Sequence, residues 1–317
     1  MEENKDYTEQ ISPKIVKNGV REFFLDVLRG FPIGLAFIVP GFSGGSVAAI
    51  MGVYEKMIGA IATVFRNMKK SIVTLLPIGI GLALGVVSML FPIDMALDAF
   101  PLPTVSLFVG LAIGGMPSIF DKIQGKPTRN NIIAFSIPLV VAFALSFIPI
   151  GNDVDLFNLT PAGYVLLFLV GMLGSAALVV PGISGSMILL ILGYYNPIVK
   201  LIVMHFFAGK DFWTCVLVLG VCAAGIGVGF IIISLVMKTM LDKYQRGTYF
   251  AIVGFIIGSL PTVYISTMKS VGMLSASLEV LWLPKSPLQW IFSVLMVAAG
   301  VYASYSFVKY SKKTIKS

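Results

Sequence analysis

The chain reads as an all-α polytopic membrane protein made of two inverted-topology repeats, each a re-entrant or broken helical hairpin followed by three transmembrane helices. Three observations predict this. Of 317 residues, 57% are hydrophobic and only 12% charged, a profile outside the range of soluble domains. A phrase interrupts an apolar run once in each half, as Pro40-Gly41-Phe42-Ser43-Gly44-Gly45 and as Pro181-Gly182-Ile183-Ser184-Gly185-Ser186. Finally, basic residues gather in alternate connections, a pattern that sets the orientation of membrane segments.

Residues 1–20 form a polar N-terminal segment with no short apolar core ending in a cleavage site, so no secretory signal is expected. The stretch 21–29 is amphipathic and is expected at the cytoplasmic interface. The first repeat covers 21–150, with apolar runs at about 30–39, 46–65, 72–91, 105–120 and 132–150. An extracytoplasmic connection, 151–162, leads to the second repeat, 163–310, with runs at about 163–180, 187–207, 212–237, 249–267 and 287–308. Residues 311–317 form a basic tail. A span needs about 20 residues at about 1.5 Å rise, so 30–39 cannot cross alone. The segment 30–65 is therefore predicted as two partial helices meeting at the Pro-Gly phrase, with 163–207 as its counterpart.

The likeness between halves extends beyond the phrase. Tyr54 and Tyr195 each follow the central Ser by eleven residues, two places after Gly52 and Gly193. Gly79-Ile80-Gly81-Leu82 matches Gly225-Ile226-Gly227-Val228, and the block from Val109 to Pro117 matches that from Val253 to Pro261. Three blocks in one order at offsets of 141 to 146 indicate an internal duplication. The small-xxx-small pairs Gly81/Gly85, Gly110/Gly114, Gly225/Gly229 and Gly254/Gly258 predict close helix packing. Most of the 23 Lys and Arg lie before the first hairpin, at 66–70, at 121–131, at 238–248 and after 308, whereas 92–104 and 151–162 hold aspartates and no basic residue. The positive-inside rule then places both termini in the cytoplasm and gives the halves opposite orientation, with Asp94 and Asp98 in an outer loop. On this path Lys200, Lys210, Lys269 and Lys285 fall outside, against the rule. Inverted repeats place equivalent sites near the bilayer midplane, a geometry suited to alternating access.

The phrases carry the candidate site. Pro40, Gly41, Pro181 and Gly182 break the helices. A helix starting near Ser46 or Ser186 presents free N–H groups and a partial positive charge that attract an anion. Gly44 and Gly45 permit close approach, and the hydroxyls of Ser43, Ser46, Ser184 and Ser186 can donate to anionic oxygens. The alternative is a pair of structural kinks capped by Ser. Arg29, eleven residues before Pro40, is a second candidate for an anionic group or else an interfacial arginine; its counterpart is Val170. Glu55 stands at membrane depth and can carry a coupling proton, or pair with Lys56, Arg29 or Arg66; its counterpart is Asn196. Cys215 and Cys222 stand two turns apart, too far for a disulfide. His205 alone cannot build a metal site, and no cofactor is expected. The net charge of +8 is ascribed to cytoplasmic loops rather than to nucleic-acid binding.

The phrases Pro40 to Ser46 running into Gly52-Val53-Tyr54-Glu55, and Pro181 to Ser186 running into Gly193-Tyr194-Tyr195, together with the Gly110 to Pro117 block, resemble the bacterial PopT family of polyprenyl-phosphate translocases over about 22–308. The resemblance implies a transporter that returns undecaprenyl phosphate, the lipid carrier of cell-wall synthesis, from the outer to the cytoplasmic leaflet of the bacterial plasma membrane. Carried over by position, it implies head-group contact at Ser43, Gly44, Gly45, Ser46, Ser184, Gly185 and Ser186, with Glu55 in the Tyr-Glu step. Inward movement of negative charge opposes the usual membrane potential, which favours a coupling proton or cation. The implied partners are the lipid substrate and the bilayer; oligomeric state is left open. One rival is an ion-coupled transporter of a small soluble anion. Another is a membrane polyprenyl-diphosphate phosphatase, which uses a similar phrase with Arg where this chain has Gly44 and Gly185 and so lacks the cation that stabilises a transferring phosphoryl group.

Overall fold

The computed structural model describes residues 20–38, 43–123, 125–145, 147–148, 151–182, 185–206, 209, 211–270, 272–273 and 287–316. All regular structure among them is helical. The first half contributes α1 (Val20–Ile38), α2 (Gly44–Ile50), α3 (Tyr54–Ala62), α4 (Met68–Ala99), α5 (Pro101–Phe120) and α6 (Arg129–Leu145). The second contributes α7 (Pro161–Val179), α8 (Gly185–Ile191), α9 (Tyr195–Lys200) continued by a π-helical turn (Leu201–Phe206), α10 (Phe212–Ser270) and α11 (Pro287–Lys316). The bounds of α1 recur in α7, and those of α2 in α8, at an offset of 141. Among the described residues four helices are long and apolar enough to cross a membrane, or five if α2 and α3 count as one broken span.

The amphipathic stretch at 21–29 and the run from 30 are one continuous helix rather than an interfacial segment and a separate arm. Pro32 lies inside α1 without ending it. What holds the helix is the partner it lies against. A methyl added at Gly30 would meet the Ile78 carbonyl oxygen at 2.2 Å, and one at Gly81 would meet that of Val27 at 1.9 Å. Neighbouring helices can re-satisfy backbone freed by proline inside a membrane. The same interface recurs in the second half, Gly225 against Phe168 and Gly171 against Cys222. Two further interfaces are exchanged between halves. Gly110 and Gly114 of α5 face the Val297 and Val301 backbone of α11, while Gly254 and Gly258 of α10 face that of Phe135 and Leu139 in α6. All four small-xxx-small pairs thus pack backbone to backbone, the close approach that drives helix association where lipid removes a hydrophobic driving force.

The run 46–65, expected as one arm, is two short helices with a corner at Met51–Val53. The axes of α2 and α3 differ by 118°. Gly52 supplies the corner through a left-handed backbone, φ +73°, and Gly193 does the same between α8 and α9 at φ +75°. The Pro40-Gly41 break and Ser184 lie outside the described residues.

The outer connection expected at 92–104 is shorter than anticipated. Helix α4 runs on to Ala99, through Pro92, and only Phe100 leaves helical geometry. Pro101 accounts for this, because the residue before proline is pushed out of the α region. Thr104 Oγ1 donates to the Ala96 carbonyl at 3.0 Å and to that of Phe100 at 2.7 Å. Eight residues along a straight helix would separate these groups by about 12 Å, so the chain turns a sharp corner here. The device recurs inside α10. Tyr244 is non-helical, and Thr248 Oγ1 donates to Met240 and Tyr244, both at 3.0 Å. Asp98 is exposed beside the first of these corners; the Asp94 side chain is outside the description.

Large apolar side chains on α4, α6, α10 and α11, among them Val87, Val140, Val236 and Val294, face outward. The main core gathers α2, α3 and α5 around the second segment of α10, with a smaller one among α7, α9 and the first segment. Cys215 and Cys222 form no disulfide and are buried in the latter. Lys200, which fell on the unexpected side of the path, pairs with Asp153 at 3.1 Å. His205 pairs with Asp211 at 3.3 Å and lies against Phe157. In the connection before α7, the Asn158 amide and the Phe157 N–H hold the exposed Asp155 carboxyl below the usual carboxylate range.

Candidate functional site

Helix α2 starts where the first phrase ends. Ser43 is its N-cap, with an extended backbone and a side chain that accepts from the Ser46 N–H at 3.4 Å. Gly44, Gly45, Ser43 and Ser46 are all buried. Among the described residues Ser46 Oγ has no hydrogen-bond partner. Gly44 and Gly45 wall a cavity of about 70 Å³ together with Ile33 and Phe37 of α1, Tyr54 and Ile58 of α3, Leu82 of α4, Val179 of α7 and Phe230 of α10. Its surface is apolar; six helices contribute to it because the corner at Gly52 folds α3 back beneath α2.

The first half meets the end of α7, just before the second phrase, here. Tyr54 Oη donates to the Val179 carbonyl at 2.9 Å, two residues before Pro181. Pro181, Gly182 and Gly185 are buried, and Gly182 takes φ +89° where an added methyl would meet Phe255 at 2.5 Å. The Ser186 side chain is outside the description.

Arg29 and Glu55 do not join the phrase residues. Arg29 Nη1 pairs at 3.2 Å with Asp26, which also pairs with Lys56 across the α1–α3 interface. Glu55 points to the same end of the molecule but to neither Lys56 nor Arg29 nor Arg66. It accepts from the Tyr249 hydroxyl of α10 and stands 3.5 Å from Lys122 after α5. Its side chain is 40% exposed, so it sits at the rim of the helix bundle rather than in its core. Arg246 donates to the Lys126 carbonyl nearby. The basic segments around 29, 56, 122–126 and 246 thus share one end.

Sequence reasoning missed Asp26 and Tyr249, offered Lys56 to Glu55 rather than to Asp26, and gave Lys122 no role beyond the basic connection. A signal existed for Asp26: with Arg29, Ile33 and Phe37 it falls on one face of α1, and a carboxylate in line with two cavity-lining residues is out of place unless paired. The pairings with Lys56 and of Glu55 with Tyr249 join residues 30 and 194 positions apart, beyond any local pattern.

Residues 33–280 match the family described as undecaprenyl phosphate translocase-like. A polyprenyl-phosphate transporter of Staphylococcus aureus is 32% identical over 270 residues, covering 81% of this chain and 92% of that protein. One of Vibrio cholerae is 25% identical over 315 residues, covering 90% of this chain and 96% of that protein. No solved structure matches. With a family match over most of its length and a relative so similar across both chains, this protein belongs to the undecaprenyl phosphate translocase-like family.

Proposed function

We propose that the chain carries a polyprenyl phosphate such as undecaprenyl phosphate from the outer to the cytoplasmic leaflet of the bacterial plasma membrane. The observation that carries this reading is the apolar cavity at the first phrase, opening off the same α1 face that bears Asp26 and Arg29 at the charged end. An amphiphile with an anionic head and an isoprenoid tail matches that succession; a small soluble anion has no use for apolar walls. The names of the two relatives support the same substrate class.

In this proposal the halves are inverted repeats, with the basic end and both termini cytoplasmic. The interface that recurs in both halves, Gly81 with Val27 and Gly225 with Phe168, supports it, in a register two residues off the sequence match of Gly81 with Gly227, since Gly79 and Gly227 meet nothing within 4 Å. The phrase residues Ser43, Gly44, Gly45, Ser46, Ser184, Gly185 and Ser186 line the crossing point, and Glu55 carries the coupling proton. Moving one elementary charge against the membrane potential costs about 2.3 kcal/mol per 100 mV, which a co-transported proton offsets.

The test is leaflet-to-leaflet transfer of a polyprenyl phosphate in proteoliposomes, with and without an inward proton gradient. Protein-dependent transfer is expected, faster with the gradient; none by folded protein under either condition would end the reading. Glu55→Gln is expected to slow transfer more than it weakens binding, and equal loss of both would remove the coupling role. Ser43→Ala combined with Ser184→Ala is expected to weaken phosphate binding. The loss of the α2 cap adds about 1 kcal/mol of destabilisation, to be separated by thermal unfolding. Unchanged affinity would count against the phrase as a head-group site.

A further inference from the structure

We propose that Arg29 and Lys56 form a docking site for a phosphate monoester at the charged end of α1, and that Asp26 is its resident counter-ion, displaced when the ester arrives. The inference rests on the transport reading and deepens it.

The second half supplies an internal control for what the fold requires. At the 141-residue offset, Asp26, Arg29 and Lys56 become Leu167, Val170 and Pro197. Leu167 and Val170 are 0% and 2% exposed, and α7 packs on α10 there with the same glycine contacts that join α1 to α4. The interface is therefore made equally well by two aliphatic side chains. A buried ion pair gains little or nothing over well-packed apolar residues, because desolvation offsets the attraction. Stability does not explain why one half keeps a carboxylate that is 1% exposed between two cations.

The arrangement fits exchange. Arg29 and Lys56 both pair with the one carboxylate of Asp26. Lys56 and Arg29 reach the surface, with side chains 31% and 13% exposed, whereas that of Asp26 lies behind them at 2%. A phosphate monoester carries about −1.5 to −2 charges and three acceptor oxygens, more than a carboxylate offers, and so competes for both cations. From Arg29 the same helix face leads to Ile33 and Phe37 of the apolar cavity, about 12 Å along α1 to Phe37, which places a prenyl chain where the head group leaves it.

The probes are farnesyl phosphate, farnesol and inorganic phosphate, titrated into the purified full chain. Arg29→Gln and Lys56→Gln are each expected to weaken farnesyl phosphate about tenfold, the size of one charge-assisted hydrogen bond, and to leave farnesol unchanged. Asp26→Asn is expected to tighten farnesyl phosphate, because it removes the competing anion; a purely structural clamp would instead lose affinity and melting temperature together. Equal or weaker binding by folded Asp26→Asn overturns the exchange. Should that variant not fold, Lys56→Gln decides alone, and unchanged affinity overturns the site. Wild-type binding of farnesyl phosphate that both cation variants retain refutes the site and leaves the transport reading standing. Inorganic phosphate that competes as well as the prenyl ester supports the site and refutes the lipid substrate. A wild-type chain that binds neither phosphate refutes both.

Discussion

Gly81→Ala is expected to destabilise the protein by about 3 kcal/mol or more, while Gly79→Ala, two residues away on the same helix, is expected to be neutral or up to about 1 kcal/mol stabilising. The chemical change is identical. A methyl at Gly79 meets nothing within 4 Å, and the helix gains from the loss of glycine's flexibility. At Gly81 it would lie 1.9 Å from the Val27 carbonyl oxygen, and the obstruction is backbone, so no rotamer relieves it. Helices α1 and α4 must part along their length, and α1 is also the wall that presents Ile33 and Phe37 to the cavity. Gly225→Ala should reproduce the loss, since its methyl would meet Phe168 at 2.1 Å. Thermal unfolding in one detergent decides the matter. Comparable melting temperatures for the Gly79 and Gly81 variants would show that the interface is looser than described.

Gly182→Ala is expected to abolish transfer, and Gly52→Ala to preserve most of it. Both glycines hold left-handed backbones, φ +89° and +73°, at a cost of roughly 1–2 kcal/mol for any other L-residue. Only at Gly182 would the added methyl also meet a neighbour, Phe255 at 2.5 Å, so its substitution pushes the second phrase away from α10. Gly52 has open space where a methyl would go. The readout is polyprenyl-phosphate transfer by proteoliposomes, alongside unfolding to separate lost activity from lost fold. A Gly182 variant as active as the Gly52 variant would remove the second phrase from the crossing path.

What could be read from the chain followed its local periodicities. Small residues four apart mark a helix–helix contact whatever the partner, so the glycine pairs of α4, α5 and α10 identified their interfaces. Gly52 and Gly193 were visible as repeated features before the Tyr residues, although a repeated glycine does not announce a 118° corner. What stayed hidden depended on partners. Pro32 and Pro92 break an isolated helix but are tolerated in α1 and α4, and proline chemistry at the α4 terminus acted instead through Pro101 at Phe100. Glu55 invited a partner among nearby cations and found Tyr249 and Lys122, because the corner at Gly52 turns α3 toward the second segment of α10. Asp26 was masked by an amphipathic context in which a carboxylate looks solvated.

The exchanged interfaces carry a consequence for how the molecule can be divided. The chief neighbour of α11 is α5, and that of α6 is α10, so each half lends its last helix to the other. A polypeptide ending at the 151–160 connection would hold a sixth helix with nothing to lie against and a fifth with an uncovered glycine seam. Neither half is therefore autonomous. As a separate subunit either would be whole only in a reciprocal pair, in the manner of a domain swap. In the joined chain no rigid body coincides with one half, and any motion that parts the molecule must carry helices drawn from both.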